Sequence, residues 1–524
     1  MIKNSLVIGM LLTAACLSAQ SVTGYVYDDA NRNGKKENRE KGLSNVAVTN
    51  GTAVVLTATD GKYVLPLDNE AIIAVIKPSG YTVQVNLNNL PQFFYNHKPE
   101  GSPASKFTGV AATGKLPKSV NFGLHQAEER TDFSALIFGD PQPYNLEEID
   151  YFSKGIVAEV AGIQNIPFGL SLGDLVGNDL NLFNPYIKAV KDVGIPWYNL
   201  LGNHDLNFDA TTDDKADETY EAHFGPANYA FNYGKVHFIV LDDVLYPDPR
   251  DAKGYWGGFT ENQLQFVEND LKFVPKDHLI VLAFHIPISE PDSNDDSFRD
   301  SDRQKLFELL KDYPNTLSLS AHTHLQRQDF LGKEAGWLQE KPHHHYNVGT
   351  TSGDWYSGKL DEKGVPISVM RDGTEKGYAF IHFKGNQYAI DYKVAGQPAD
   401  YQMKVFAPKV VPQQKRTKSA LFVNFFMGSK NDKISYRIDG GKWMDMEFVE
   451  THDPSYTELV MEWDLADTLM PGRRSSDPVD CTHLWKGRLL SDLELGIHTI
   501  EIHATDTFGK VHKAKASYRI DQQK

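Results

Sequence analysis

At 524 residues the chain is too long for one hydrophobic core, and about three domains is the expectation. A formal charge of -16 with no basic stripe excludes a nucleic-acid backbone as the expected partner. It does not exclude phosphate substrates, because cations held by carboxylates make a site locally positive and diffuse surface charge is screened beyond about 8–10 Å.

The N-terminus, with Lys3, the apolar run Leu6 to Leu17 and the small-residue end Ser18-Ala19-Gln20, reads as a secretory signal peptide over residues 1–19. The expected location is therefore secreted, periplasmic or at the cell envelope. The apolar run is too short to span a bilayer comfortably and no later stretch is better, so no transmembrane span is expected. Cleavage after Ala19 removes Cys16 and leaves Cys481 alone, so no intramolecular disulfide can form despite an oxidising compartment. A lipid anchor at Cys16, after Thr13-Ala14-Ala15, is the lesser alternative because the Thr fits an acylation signal poorly.

Residues 20–126 read as an N-terminal β domain. Val22 to Tyr27 and Val46 to Val48 alternate like strands, and Asp60-Gly61-Lys62 is a turn before Tyr63-Val64-Leu65. Between the first two lies Asp29-Ala30-Asn31-Arg32-Asn33-Gly34, with Glu40 at the twelfth position from Asp29. Oxygen donors at Asp29, Asn31 and Asn33, a Gly sixth and Glu40 twelfth follow the pattern of a Ca²⁺ loop. An Asn/Gly turn between strands is the competing reading, and the strand flanks exclude an EF-hand pair. The loop and its surroundings resemble the calcium-binding B-type repeats of bacterial surface adhesins, which implies a structural ion.

From residue 132 to 397 apolar strands alternate with helical patterns such as Leu146 to Val160 and Thr260 to Phe273, the signature of an α/β domain. Later strands, Val236 to Leu241 and Tyr378 to Phe383, read as the far side of a two-sheet sandwich flanked by helices. A Pro-containing basic stretch, Ala407 to Lys418, reads as a joint. Residues 419–524 alternate again, with turns at Asp439-Gly440-Gly441 and Asp506-Thr507-Phe508-Gly509, and suggest a C-terminal β-sandwich.

Within the α/β stretch, five apolar runs end in polar groups. They are Ala135 to Phe138 before Gly139-Asp140-Pro141-Gln142, Phe168 to Leu172 before Gly173-Asp174, Leu200-Leu201 before Gly202-Asn203-His204-Asp205, Ile280 to Phe284 before His285, and Leu317 to Ala321 before His322-Thr323-His324. Strand ends of this kind deliver side chains into the crevice where open α/β sheets place their sites. Carboxylates, amides and imidazoles together are the inventory for two divalent ions about 3.5–4 Å apart. Taken singly, Asp140 and Asp174 are as consistent with helix N-caps, and His285 with a core histidine.

In order and spacing the five motifs resemble the calcineurin-like metallophosphoesterase superfamily. With the N-terminal module and the stretches Asp453-Pro454-Ser455-Tyr456 and Thr482 to Gly487, the likeness extends to a bacterial three-domain branch. It implies that Asp174 bridges two ions (Mn, Fe, Zn or Mg), that Asp140 and His324 serve the first, and that Asn203, His285 and His322 complete the second. His204 then faces the leaving oxygen, Asp205 orients its ring, and a water shared by the ions, its pKa lowered from about 15.7 toward about 7, attacks a phosphate mono- or diester in line. The superfamily usually has His two residues after the first Asp; Gln142 stands there instead. That implies a looser first site or a preference for Mn²⁺ or Mg²⁺ over Zn²⁺. Gln142 and the flanking β domains support a rival reading: an envelope binding or adhesion module with a catalytically weak metal site.

Other residues have blander readings. His237 reads as a sheet residue, and His343-His344-His345 as a crevice lining or an exposed loop. Trp256, Trp355 and Tyr356 read as rim packing or as stacking partners for a substrate. His483 and Trp485 read as part of the C-terminal sandwich or of its contact with the catalytic domain.

Overall fold

The structure, a computed structural model, describes residues 20–128, 130–289 and 296–523. The signal-peptide reading falls on residues 1–19 and lies outside the described residues. At the centre are two sheets packed face to face. One orders its strands Trp197–Leu200, Gly169–Leu172, Asp132–Phe138, Gly377–Lys384 and Gln387–Val394. The other orders Tyr229–Tyr233, Val236–Val240, Leu279–Ala283, Asn315–Ser320, His343–Asn347 and Arg327–Leu331.

In the first sheet the three strands from Trp197–Leu200 to Asp132–Phe138 run parallel and two strands paired antiparallel complete it; in the second, four parallel inner strands lie between antiparallel edges. Parallel strands buried on both faces need apolar residues at every position, which is why Leu279-Ile280-Val281-Leu282-Ala283 shows no alternation. Val281 and Ala283 face the opposite sheet, while Ile280 and Leu282 pack under the helices.

Helices cover the outer faces. Leu146–Phe152 starts on the Asn145 cap and continues through a π turn at Ser153–Val157. Glu261–Leu271 starts on a capping box formed by Thr260 and Gln263.

Residues 20–126 form two four-stranded sheets, ordered Lys62–Pro66, Ser21–Asp28, Phe122–Gln126, Tyr81–Val83 and Val54–Leu56, Ala47–Thr49, Ala71–Val75, Phe94–His97. C-terminal to the two central sheets lie a four-stranded and a five-stranded sheet. Met403–Phe406 pairs with Ala420–Phe425, and within the stretch read as a joint, Ala407 to Lys418, Val410–Pro412 pairs with Val511–Asp521. Among the described residues no helix is long and apolar enough to cross a membrane.

The histidine run is neither crevice lining nor loop. His343–Asn347 is an inner strand of the second sheet, next to its edge strand Arg327–Leu331, and is buried at every position. Its side chains interleave with hydroxyls of the neighbouring strand. The Thr316 hydroxyl lies 2.8 Å from His343 Nδ1, and Ser318 Oγ lies 2.7 Å from both His343 Nε2 and His345 Nδ1. Ser320 Oγ then lies 3.0 Å from His345 Nε2 and donates to Asn347 at 3.2 Å. His237 is a sheet residue, as its alternation implied, with Nε2 2.6 Å from buried Asp270.

Candidate metal centre

All five polar-tipped strands end at the same rim, at the carboxyl ends of the parallel strands of both sheets. The sheets are tied there by the backbone, where Thr351 N donates to Gly139 O at 2.8 Å, and within the second sheet Ala321 N donates to His285 O at 3.0 Å. The turns are tight. Asp140, Gln142, Asp174, His322 and His324 have φ of 30, 39, 47, 68 and 53°, the left-handed region that non-glycine residues enter at a cost.

His285 Nε2 is the hub. It lies 3.3 Å from Asp174 Oδ1, 3.1 Å from Asn203 Oδ1, 3.3 Å from His322 Nδ1 and 3.9 Å from Asp140 Oδ1. Its other nitrogen is 2.8 Å from the Leu172 carbonyl, which fixes the ring. Asp174, His285 and His322 each offer one ligand atom, all within 4.8 Å of one another.

Asp140 and Gln142 stand on the other side of Asp174. Asp140 accepts from His322 N at 3.2 and 3.0 Å and lies 3.9 Å from His324 Nε2. Gln142 Nε2 donates to Asp174 Oδ2 at 3.1 Å, while its Oε1 is buried with no hydrogen-bond partner. The seven residues read as ligands are thus brought together, with Asp174 between two groups.

The donor set fits a pair of divalent cations. One imidazole nitrogen cannot satisfy four polar neighbours with a single proton, whereas a cation among them can. Burial pushes His285 down, yet Asp174 and Asp140 raise it to about 10, so the pocket calls for positive charge. Burial also pushes His322 down to about 3 and His324 down to about 4, which keeps their lone pairs free. Burial opposes the charge on Asp174, but His285 and His204 hold it well below the ordinary carboxylate range.

His204 stands at the open side of this cluster, with Tyr144 edge-on at 5.9 Å. Its backbone N–H donates to Asp174 Oδ1 at 2.8 Å. The expectation that Asp205 orients the His204 ring fails. The Asp205 carboxylate is fully buried and accepts from Gly202, Leu175 and Val176 N–H groups at 2.9, 3.0 and 3.2 Å. Those amides turn it inward, where it braces the two ligand turns against each other. Asn178 takes the orienting place, its Oδ1 2.7 Å from His204 Nδ1.

Asn178, four residues after Asp174 in Gly173-Asp174-Leu175-Val176-Gly177-Asn178, was not singled out from the sequence; its φ of 72° was not visible there. Asp243 was also missed. It accepts from the N–H groups of His285 and Ile286 at 3.0–3.1 Å and anchors that turn. Trp355, read as rim packing or a stacking partner, stacks on His324 with centroids 4.2 Å apart. His483 links the C-terminal sandwich to the catalytic domain, with Nε2 3.2 Å from Asp372.

The N-terminal loop closes on itself. Asp29 accepts from Asn33 N at 3.1 Å and Gly34 N at 2.9 Å, and the Asn31 and Asn33 amides donate to Glu37, a residue the Ca²⁺ pattern did not single out. Glu40 Oε2 accepts from Glu37 N at 2.8 Å, and its Oε1 is buried without a partner.

Comparison with known proteins places three family models along the chain. Residues 30–111 match the N terminal of calcineurin-like phosphoesterase, residues 133–326 calcineurin-like phosphoesterase itself, and residues 345–512 its C terminal. Solved structures similar to the chain include a dimetal phosphatase from Danio rerio, at 11% identity and a TM-score of 0.35, covering 50% of this chain and 95% of that one. A purple acid phosphatase from yellow lupin (Lupinus luteus) seeds matches at 14% identity and a TM-score of 0.36, covering 72% of this chain and 67% of that one. No curated protein matches.

Proposed function

Since the chain belongs to the calcineurin-like phosphoesterases, metal-dependent hydrolases of phosphoric esters, we propose that Asp140, Gln142, Asp174 and His324 hold one divalent cation and that Asp174, Asn203, His285 and His322 hold the other. The observation that carries this assignment is the ring of four polar atoms around His285 Nε2. When bound, two such ions supply Lewis acidity for the phosphoryl oxygens and lower the pKa of water to near neutrality.

The protein's own groups do the rest. Asp174, held as the anion, keeps the two ligand groups at fixed separation. His204 Nε2 faces outward and is the group placed to hand a proton to the departing oxygen. Asn178 fixes which nitrogen does so through Nδ1. Tyr144 packs edge-on against His204, and Trp355 stacks on His324.

The test is turnover of p-nitrophenyl phosphate and bis-p-nitrophenyl phosphate by Mn²⁺-loaded protein, with metal content measured alongside. Asp174→Asn should abolish turnover and lower the bound metal from two ions. Wild-type protein that binds two ions yet turns over neither ester would sink the reading. Gln142→His should tighten the first ion; unchanged affinity would remove Gln142 from the ligand set.

The leader at residues 1–19 supports export, and N-terminal sequencing of protein from fractionated cells tests it; a chain that keeps Met1 in the cytosolic fraction would refute export. The loop Asp29, Asn31, Asn33, Glu37 and Glu40 takes a structural Ca²⁺ in this reading. It is supported by the unpaired Glu40 oxygen and by the buried, unpartnered Tyr27 hydroxyl, which burial pushes up first and Asp29, Glu40 and Glu37 push further. Calorimetric titration of the full chain with Ca²⁺ should lose its N-terminal signal in Asp29→Asn, and a titration unchanged by that variant would exclude the site.

A further inference from the structure

Two arginines flank the metal centre, and among the described residues neither forms an ion pair with a carboxylate, though Arg473 acts electrostatically on Glu148, in a protein whose formal charge is -16. Arg371 lies over the Trp355 ring, with its guanidinium carbon 5.8 Å from the centroid. Its Nη2 reaches the Thr323 carbonyl only at 3.4 Å, and its buried Nε has no hydrogen-bond partner. Arg473 reaches the Trp355 carbonyl at 3.4 Å from the other direction, and its side chain is exposed. The adjacent Arg474, by contrast, is paired with Asp464 and Asp477. Trp355 itself stacks on His324, so the Arg371 guanidinium sits one ring away from the first ligand group, while Arg473 reaches the backbone of the same tryptophan.

The C-terminal sandwich sets both positions. Arg473 belongs to the segment that follows the helix Pro454–Asp464, and Gly358 N donates to its carbonyl at 2.6 Å. Arg371 precedes Asp372, which is clamped by His483 at 3.2 Å and whose carbonyl accepts from Asn424 at 2.9 Å. Val479 N donates to the Arg371 carbonyl at 3.2 Å. Tyr144 stands edge-on to His204, with ring centroids 5.9 Å apart, on the proton-donor side of the centre.

We propose that Arg371 and Arg473 form an oxyanion subsite beside the metal centre, which selects esters carrying a second anionic group, phosphate or carboxylate, beyond the scissile phosphate. A guanidinium fork left with unused donors matches the two oxygens of such a group, and water exclusion by Trp355 strengthens the contact. The proposal rests on the phosphoesterase reading for the word ester, but its binding step is separable from turnover.

The experiment compares phenylphosphonate, 4-carboxyphenylphosphonate and 1,4-phenylenebisphosphonate, which are not hydrolysed, by calorimetry on Mn²⁺-loaded full-length protein. Wild type should bind one or both of the doubly anionic ligands about tenfold or more tightly than phenylphosphonate, the worth of a charge-assisted contact. Preference for the carboxylate ligand or for the bisphosphonate tells the two chemistries apart. The ratio should fall to about one in Arg371→Gln/Arg473→Gln and be partly kept in Arg473→Lys. Arg473→Gln alone, at an exposed position, should lower the ratio with an unchanged melting temperature. Equal affinity for all three ligands in wild type, or a ratio untouched by the double substitution, would overturn the subsite. A preserved ratio in a protein that turns over no ester would instead leave the subsite standing and sink the phosphoesterase reading.

Discussion

The glycines before the ligand residues show how closely the site constrains its chain. A Cβ on Gly173 would lie 2.5 Å from His285 Nδ1, and one on Gly202 would lie 2.2 Å from Asp174 N. Gly173-Asp174 and Gly202-Asn203 are therefore legible as pairs because no side chain fits where the two turns touch. The inventory of ligand types was readable for the same reason: each sits at the end of an apolar run. The orienting role was not, since Asp205 follows His204 directly and adjacency suggested contact, while Asn178 arrives from another turn. Two outcomes follow at this scale. His204→Ala should lower kcat on alkyl phosphates by about 10²–10⁴ and less on nitrophenyl esters, whose leaving group needs no proton. Asn178→Ala should lower kcat about tenfold and shift the pH profile, whereas a change in KM alone would contradict its orienting role.

At the scale of elements, the strand His343–Asn347 shows what periodicity cannot reveal. Three histidines in a row argue for exposure unless partners are known, and the partners Thr316, Ser318 and Ser320 lie on a strand read only as apolar. Burial pushes His343 and His344 down to about 3. Both rings are neutral when folded and protonate near 6.5 when unfolded, so the unfolded chain binds more protons in acid. Their contribution is complete above about pH 6.5 and is lost progressively as pH falls toward about 3. Urea midpoints measured between pH 7 and 4 should fall with pH, and His344→Phe should flatten that slope. Ser318→Ala strands two imidazole nitrogens and should cost about 1–3 kcal/mol by the same measurement. Within the stretch Ala407 to Lys418, read as a joint, Val410–Pro412 is an edge strand, because Pro and Lys residues suit edge strands as well as linkers.

For the whole molecule, the modules are braced onto the catalytic turns. Lys98, buried in the N-terminal module, is paired with Glu218 and lies 2.7 Å from Glu221 on the helix Glu218–Phe224. Ser105 Oγ accepts from Asn207 at 2.9 Å, three residues beyond His204. These contacts join residues more than a hundred positions apart, which is why the sequence showed the modules but not their hold on the site. Lys98→Met would leave Glu221 without its ion-pair partner, while Glu218 keeps Lys215 at 3.2 Å, and should cost about 3–5 kcal/mol in chemical denaturation. It should also weaken metal binding measured by competition with a chelator; unchanged metal affinity would show the module to be a bystander.

The left-handed turns that carry Asp140, Asp174, His322 and His324 have one further effect. Their conformational cost is met during folding by the packed sheets beneath, so an arriving ion finds its cage already standing. Such a centre should behave as a rigid socket: emptied and refilled without unfolding, and sorting metals by size more than by their appetite for nitrogen or oxygen.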